Sequence, residues 1–275
     1  MKTIHDFYQM KQQHDKAVMI TAYDYPSAKM VEQAGADLIL VGDSLGMVVL
    51  GYESTTDVTV SDMVHHAKAV RRGATDTFIV VDMPFMSYHI SIEDGLKNAK
   101  QLFQSSQAQA LKLEGASEMV LTLTKRLTEA GIPVVSHLGL TPQSVNVMGG
   151  FKVQGKDLSS ANKLIEEAKQ VEQHGAVMCV LEGIPAPLAD KITDQLMIPT
   201  IGIGASVNCD GQVLVYHDLL QYGTDRLARF VKPYTDLNRT VTEALGAFVQ
   251  DVRQCRFPEE KHTYLLNEGV TLEEA

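Results

Sequence analysis

The sequence predicts an α/β protein with a single (β/α)8 barrel, and three observations support this fold. Eight short apolar segments recur along the 275 residues, as expected for parallel strands that are buried on both faces. Helical patterns separate these segments, and several are followed by a glycine, which can turn the chain back. No linker rich in Pro, Gly or Ser divides the chain into two domains.

The predicted strands each end in a polar or glycine-containing turn. They cover residues 17–22, 37–41, 77–81, 110–113, 132–136, 176–181, 198–201 and 213–216. The competing architecture is an open doubly wound sheet, which often carries a dinucleotide-binding fingerprint. Gly202-Ile203-Gly204 lacks the third glycine of that fingerprint, so we favour the closed barrel.

Helical periodicity fills the intervals between the strands. Met63, Ala67 and Val70 share one helix face behind Ser61, a candidate N-cap. A helix over residues 3–13 is expected to close the bottom of the barrel. The glycines predicted to end helices are Gly35, Gly73, Gly131 and Gly175. We expect residues 1–258 to form the catalytic barrel domain with its N-terminal helix, and residues 259–275 to form a short acidic tail.

Composition argues against several classes of partner, although it leaves room for a local basic patch. Lys plus Arg number 24 and Asp plus Glu number 34, which gives a net charge of −10. This balance argues against binding to nucleic acid or to an anionic membrane. No apolar run reaches the roughly 18 residues of a membrane helix, and no signal-type segment is present at the N-terminus. The three cysteines are far apart in sequence and predict reduced thiols in a cytoplasmic protein.

Ionisable residues follow the predicted strands. They are Asp43, Asp82, Glu114, His137, Glu182 and Asp218. In a barrel all strand carboxyl ends open onto one face, which carries the active site. The alternative for any single carboxylate is an N-cap of the next helix, and for His137 a structural histidine.

The period-2 rule places Lys112 and Glu114 on the same face of their strand, pointing into the barrel mouth. Several inward carboxylates repel one another unless a cation or protons offset their charge. A hard cation held by Asp43 and Asp82, with water in other positions, meets that need. Glu114 would then support the metal through a bound water and pair with Lys112.

Ten segments in order resemble the ketopantoate hydroxymethyltransferase family. They are TAYD (21–24), VGDSLGM (41–47), AVRRG (69–73), DMPFMSY (82–88), KLEG (112–115), HLGLTPQS (137–144), GGFKVQG (149–155), LE (181–182), IGIGA (201–205) and DGQ (210–212). The resemblance spans residues 3–258. This chain departs from the family pattern at Gln107 and Ser206, where the family usually has glycine, and neither position is a proposed catalytic one.

The resemblance implies a barrel of the phosphoenolpyruvate mutase/isocitrate lyase type, assembled as a homodecamer. It implies a Mg²⁺-dependent transfer of a hydroxymethyl unit from 5,10-methylenetetrahydrofolate to the keto acid 3-methyl-2-oxobutanoate, in pantothenate biosynthesis. The products are 2-dehydropantoate and tetrahydrofolate. The folate site cannot be located from the sequence, and the loop over residues 139–155 is one candidate.

The resemblance also assigns roles to individual positions. Asp43 and Asp82 match the magnesium ligands and contact the substrate, and Glu114 matches the acid that supports the metal. Ser44 and Lys112 match residues that hold the keto acid, and Glu182 matches the general base. His137 belongs to a family motif, without an assigned step.

Three other functions compete with this one. An isocitrate-lyase-like enzyme generally carries a catalytic cysteine in a Lys-Cys-Gly-His-type motif, which this sequence lacks. A class I aldolase would use Lys112 as a Schiff-base nucleophile. A non-catalytic barrel would only bind an anionic metabolite.

Overall fold

The computed structural model describes residues 1–224 and 226–268, and across them eight parallel strands close into a barrel in chain order. The strands are β1 (Ala17–Thr21), β2 (Leu38–Val41), β3 (Phe78–Asp82), β4 (Ala110–Glu114), β5 (Val134–Gly139), β6 (Met178–Glu182), β7 (Thr200–Ile203) and β8 (Gly211–Leu214). Each strand pairs with the next, and β8 pairs with β1. The predicted closed barrel is therefore confirmed, and the open sheet is excluded.

Helices connect the strands and surround the barrel. They are α1 (Ile4–Gln13), α2 (Tyr25–Gln33), α3 (Leu45–Val48), α4 (Val60–Gly73), α5 (Ile92–Ser106), α6 (Glu118–Glu129), α7 (Val145–Met148), α8 (Leu158–Gln173), α9 (Ala186–Gln195), α10 (Tyr216–Leu220) and α11 (Leu237–Arg253). The predicted N-terminal helix is confirmed as α1. Thr3 and Asp6 form a capping box at its start, which satisfies backbone N–H groups that the helix leaves free.

Apolar side chains fill both the interior of the barrel and the layer between strands and helices. Met19, Leu38 and Phe78 belong to the inner cluster, whereas Ile39 and Ile79 belong to the outer one. This alternation follows the period of 2 along each strand. Because both faces of most strands are covered, the apolar runs in the sequence were continuous enough to recognise.

The predicted strand ends differ from the observed ones by up to three residues, and one predicted N-cap is wrong. The eighth strand is residues 211–214 rather than 213–216, and Tyr216 begins α10. The strand begins at Gly211, which has no side chain to signal it and where a Cβ would lie 2.4 Å from the Ala17 carbonyl oxygen. The N-cap of α4 is Thr59 instead of Ser61, because the Thr59 hydroxyl accepts from the Asp62 backbone N–H.

Glycine does not serve every helix end in the predicted way. Gly35, Gly131 and Gly175 adopt the positive φ that was expected of them. Gly73 instead ends α4 without positive φ, and a Cβ there would lie 2.3 Å from the Tyr25 carbonyl oxygen. Its small size allows α4 and α2 to approach, so the predicted role in chain reversal is wrong at this position.

The outer wall of the barrel is less covered between β8 and β1 than elsewhere. Val18 is 45% exposed, and Gln212 is exposed as well, whereas every residue of β2 to β5 is buried. Helix α11 follows the barrel and buries none of its residues. The predicted tail begins after Pro258; its residues 269–275 lie outside the described residues, and the division of the chain at residue 258 stays a prediction.

Candidate active site at the carboxyl end of the barrel

Three carboxylates meet at the carboxyl ends of consecutive strands. Asp43 follows β2 after one glycine, and Asp82 and Glu114 are the last residues of β3 and β4. All three side chains are buried, with at most 6% of each residue exposed. The Asp43 backbone N–H donates to Asp82 Oδ2 at 3.1 Å, which holds the first two strand ends together.

Lys112 supplies positive charge within this group. Its Nζ lies 3.2 Å from Asp82 Oδ1 and 3.6 Å from Glu114 Oε1. Burial by itself lowers the pKa of Lys112, but the surrounding carboxylates outweigh burial and raise the pKa above its usual value. Lys112 is therefore an ammonium group, and it points into the mouth beside Glu114 as the period-2 rule predicts.

Negative charge remains in excess at Asp43 and Asp82. Burial, followed by the charges of Asp82 and Glu114, raises the pKa of Asp43 well above its usual range. Burial also raises the pKa of Asp82, although Lys112 opposes the shift. Ionisation of these two carboxylates is energetically costly, and a further cation beside them would reduce that cost.

The donor set fits a hard divalent cation. Carboxylate oxygens are ligands that Mg²⁺ accepts, and Mg²⁺ is commonly held by one or two carboxylates together with water and substrate oxygens. Asp82 Oδ1 is buried and makes no well-aligned hydrogen bond, despite its closeness to Lys112. Within residues 1–224 and 226–268, no three His, Cys, Asp or Glu side chains form a ready-made metal site. Asp43 and Asp82 would therefore leave other positions of the cation to water and substrate.

His137 lies in β5 between Glu114 and Glu182. Its Nδ1 is 3.3 Å from Glu114 Oε1 and 3.0 Å from Lys112 Nζ, and its Nε2 is 3.2 Å from Glu182 Oε2 without forming a well-aligned hydrogen bond. Burial and the charge of Lys112 lower the pKa of His137, but the contacts with Glu114 and Glu182 outweigh them and raise this pKa to about 9. The contacts at Nδ1 compete, because Glu114 favours a protonated ring and Lys112 can only donate. Whether the ring is neutral or protonated on both nitrogens, Nε2 can carry a proton that lies near Glu182.

Glu182 ends β6, and its side chain is 14% exposed, more than the other carboxylates of the mouth. The exit of β5 passes directly over its backbone, where the Leu140 N–H donates to the Glu182 carbonyl at 2.8 Å. Gly139 makes this approach possible. Its φ is 93°, and a Cβ would lie 2.2 Å from the Glu182 carbonyl oxygen. Glu182 is thus fixed at the rim, where a bound molecule could reach its carboxylate.

Ser44 lies beside Asp43, as the sequence dictates, but its hydroxyl contacts Tyr23 Oη at 2.8 Å rather than the charged cluster. Asp218 also differs from the sequence prediction. It belongs to α10 instead of following β8 directly. The structure therefore groups Asp43, Asp82, Lys112, Glu114, His137 and Glu182, with Ser44 at one edge.

Two buried residues in the mouth received no role from the sequence. Gln143 donates from Nε2 to Asp43 Oδ2 at 2.8 Å, and Tyr88 donates to Gln143 Oε1 at 2.7 Å. Both stand in loops, where periodicity carries no information about the direction of a side chain. Their only signal was membership of the segments 82–88 and 137–144.

The chain is similar in sequence to one family over almost its whole length. A sequence model described as ketopantoate hydroxymethyltransferase matches residues 1–260. A relative from Bacillus thuringiensis (strain Al Hakam), named 3-methyl-2-oxobutanoate hydroxymethyltransferase, is 59% identical over 272 residues, which cover 99% of this chain and 97% of the relative. A relative of the same name from Bacillus anthracis matches to the same extent.

Solved structures with low sequence identity share the fold. One is 2,3-dimethylmalate lyase, a PEP mutase/isocitrate lyase superfamily member, with a TM-score of 0.61, 14% identity, and coverage of 96% of this chain and 92% of that chain. Another is phosphonopyruvate hydrolase in complex with oxalate and Mg²⁺, with a TM-score of 0.63, 10% identity, and coverage of 95% and 93%. These likenesses confirm the predicted type of barrel.

Proposed function

The chain belongs to the family of ketopantoate (3-methyl-2-oxobutanoate) hydroxymethyltransferases, and on that premise we propose that 5,10-methylenetetrahydrofolate is its one-carbon donor. The acceptor is 3-methyl-2-oxobutanoate, and the products are 2-dehydropantoate and tetrahydrofolate, in pantothenate biosynthesis. Family membership makes the chain an enzyme, not a barrel that only binds a metabolite. The observation that carries the mechanism is the excess of buried carboxylate at Asp43 and Asp82, with a separate carboxylate, Glu182, at the rim.

We assign the cation to Mg²⁺, held by Asp43 and Asp82 and supported by Glu114 through a water molecule. When bound, it would supply positive charge next to the keto oxygen of the substrate and stabilise negative charge there during proton removal. The Mg²⁺ complex of the similarly folded phosphonopyruvate hydrolase is consistent with this assignment.

The residues of the chain divide the remaining tasks. Lys112 is a buried ammonium and offers its charge to the substrate carboxylate, with the Ser44 hydroxyl as a further donor. Glu182 takes the proton from C3 of the keto acid. The electron pair released at C3 attacks the methylene carbon of the donor, which is opened to an iminium by cleavage of one of its two C–N bonds. Hydrolysis of the remaining C–N bond supplies the hydroxyl group and releases 2-dehydropantoate and tetrahydrofolate. His137, with Nε2 3.2 Å from Glu182 Oε2, orients that carboxylate.

The class I aldolase alternative requires a neutral, nucleophilic Lys112. The structure disfavours this, because the carboxylates raise the pKa of Lys112 and Asp82 lies 3.2 Å from its Nζ. Borohydride trapping with the keto acid tests the point directly. We expect no covalent adduct at Lys112; formation of one would replace the proposed mechanism.

Turnover by the purified chain is the experiment that tests the function. We expect 2-dehydropantoate to form only when the keto acid, the folate donor and Mg²⁺ are all present. Removal of Mg²⁺ with a chelator should abolish turnover, and added Mg²⁺ should restore it. Product formation without the folate donor, or without any divalent cation, would contradict the proposal.

We also propose a homo-oligomer, a decamer as the resemblance implies, in the cytoplasm. The less covered wall between β8 and β1 supports assembly, as does the apolar face of α11, where Leu245 and Phe248 are 61% and 52% exposed. Among the described residues, no helix is long and apolar enough to cross a membrane. Light scattering should report about ten chains, and a stable monomer would contradict the assembly.

A further inference from the structure

The loop after β5 inserts one buried side chain into the carboxylate cluster. Gln143 lies in the 3-10 turn Pro142–Ser144 and is 5% exposed. Its backbone N–H donates to Glu114 Oε2 at 3.0 Å, and its side-chain Nε2 donates to Asp43 Oδ2 at 2.8 Å. A single residue therefore contacts two of the three carboxylates, from an element that carries none of them.

The orientation of the Gln143 amide is determined by neighbours with only one possible role. The Glu114 backbone N–H can only donate, and it donates to Tyr88 Oη at 3.2 Å. The Tyr88 hydroxyl proton is then free to be donated to Gln143 Oε1, at 2.7 Å. At the other end of the amide, the Met83 carbonyl can only accept, and it lies 3.0 Å from Nε2. Both ends thus require the same orientation, with Nε2 toward Asp43.

Tyr88 is suited to this part because it stays protonated. The residue is fully buried, and burial, together with the Glu114 charge, raises the pKa of its hydroxyl well above the usual value. The geometry by itself assigns the hydroxyl proton to Gln143, because Oη accepts from the Glu114 backbone N–H and lies 2.7 Å from Gln143 Oε1. The hydrogen bonds form a directional chain from the Glu114 backbone through Tyr88 and Gln143 to the Asp43 carboxylate.

We propose that Gln143 is a positioning residue that orients the Asp43 carboxylate for the cation, and that Tyr88 locks the Gln143 amide for this task. The amide occupies Oδ2, which leaves Oδ1 for the metal. The proposal rests on the proposed function, since it takes Asp43 as a ligand of Mg²⁺. It also links the loop after β5 to the metal, because that loop carries Gln143.

Gln143→Met tests the positioning role, because methionine fills a similar volume without donating a hydrogen bond. Calorimetric titration of the full chain with Mg²⁺ alone should show that Mg²⁺ affinity is weakened about tenfold or more. This is the scale of one hydrogen bond to a charged group. Gln109→Met is the matched control. Gln109 makes comparable bonds at the opposite end of the barrel, to the Ile79 N–H and the Gln107 carbonyl, and its replacement should leave the affinity unchanged.

Tyr88→Phe tests the lock separately and keeps Gln143 in place. Loss of the hydroxyl should weaken Mg²⁺ affinity about threefold, since a neutral hydrogen bond contributes less than a charged one. The same replacement in the Gln143→Met background should have no further effect, because Tyr88 acts through Gln143. A merely structural role for either residue would change thermal stability without this dependence of one replacement on the other.

The outcomes distinguish this proposal from the proposed function. If the wild-type chain forms product but binds no Mg²⁺, the metal assignment fails and the positioning role fails with it. If the wild-type chain binds Mg²⁺ and folded Gln143→Met binds it equally well, only the positioning role is overturned. If Gln143→Met does not fold, unchanged affinity in Tyr88→Phe overturns the lock, and a threefold loss supports it.

Discussion

The amino and carboxyl ends of the barrel bury side chains of opposite polarity. At the amino end, Phe7 of α1 packs edge-to-face on Phe78 at the start of β3, with ring centroids 5.3 Å apart, and the contact is buried. At the carboxyl end, Asp43, Asp82 and Glu114 are buried together. Apolar contact at the amino end stabilises the fold directly, whereas buried like charges at the carboxyl end oppose it. The comparison indicates that stability is concentrated at one end and chemistry at the other.

Removal of the apolar contact at the amino end should have the largest effect on stability. Phe7→Ala deletes a ring that is 2% exposed, and we expect the free energy of unfolding to fall by about 3–5 kcal/mol. Turnover by the folded fraction should stay unchanged, because the ring is far from the strand carboxyl ends. Urea unfolding and steady-state kinetics on one preparation measure both quantities.

Leu158→Ala is the control for that experiment. Leu158 begins α8 and is 78% exposed, so truncation there should change stability by about 0.5 kcal/mol or less. A similar loss in both variants, or a loss of turnover in folded Phe7→Ala, would remove the proposed separation between the two ends.

At the carboxyl end, loss of the proposed base should change chemistry and leave stability intact. The keto acid should exchange its C3 proton with solvent on the enzyme without folate, because proton removal precedes carbon–carbon bond formation. Glu182→Gln keeps the shape of the side chain and removes its basicity, so exchange should fall about 10²-fold or more. Deuterium incorporation followed by NMR measures the rate, and calorimetry should show that Mg²⁺ still binds.

The matched control for this replacement is Glu166→Gln. The Glu166 side chain is 65% exposed on α8 and forms an ion pair with Lys169, so its loss should not alter exchange. Full exchange in folded Glu182→Gln would mean that another group takes the proton, and the assignment of Glu182 would be abandoned.

A third replacement tests whether charge at the mouth opposes folding. Burial and the neighbouring carboxylates raise the pKa of Asp43, so its ionised form destabilises the metal-free fold. Asp43→Asn should raise the free energy of unfolding in the presence of a chelator, by about 0.5–2 kcal/mol. It should also weaken Mg²⁺ binding, since it removes a ligand charge.

The pH dependence of that gain has a fixed sign. In the unfolded chain Asp43 ionises near pH 4, whereas in the folded chain it keeps its proton to higher pH. The wild type therefore loses stability relative to Asp43→Asn as the pH rises above about 4, and the two converge in acid. Urea unfolding across this range, with exposed Asp15→Asn as control, measures the difference; a gain that grows in acid would contradict the argument.

Strand positions could be predicted because burial on both faces leaves continuous apolar runs such as residues 38–41. The same periodicity placed Lys112 and Glu114 together in the mouth. The start of β8 could not be predicted, since Gly211 is selected by the closeness of the Ala17 backbone, a tertiary contact. The roles of Gln143 and Tyr88 could not be predicted for a related reason, because the direction of a loop side chain depends on the partners that surround it.

The smallest predicted effect concerns a helix end at the amino side of the barrel. Gln107 ends α5 with φ of 56°, in the left-handed region where a glycine is more usual and where a side chain costs about 1–2 kcal/mol. Gln107→Gly should therefore raise the free energy of unfolding, by about 1 kcal/mol at most once the greater flexibility of the unfolded chain is included. Gln107→Ala is the control, because it removes the side-chain amide but keeps the Cβ and its strain. Urea unfolding of the two variants measures the net effect, and equal stability of the alanine and glycine variants would show that backbone strain at this helix end does not exceed the entropic cost of glycine in the unfolded chain.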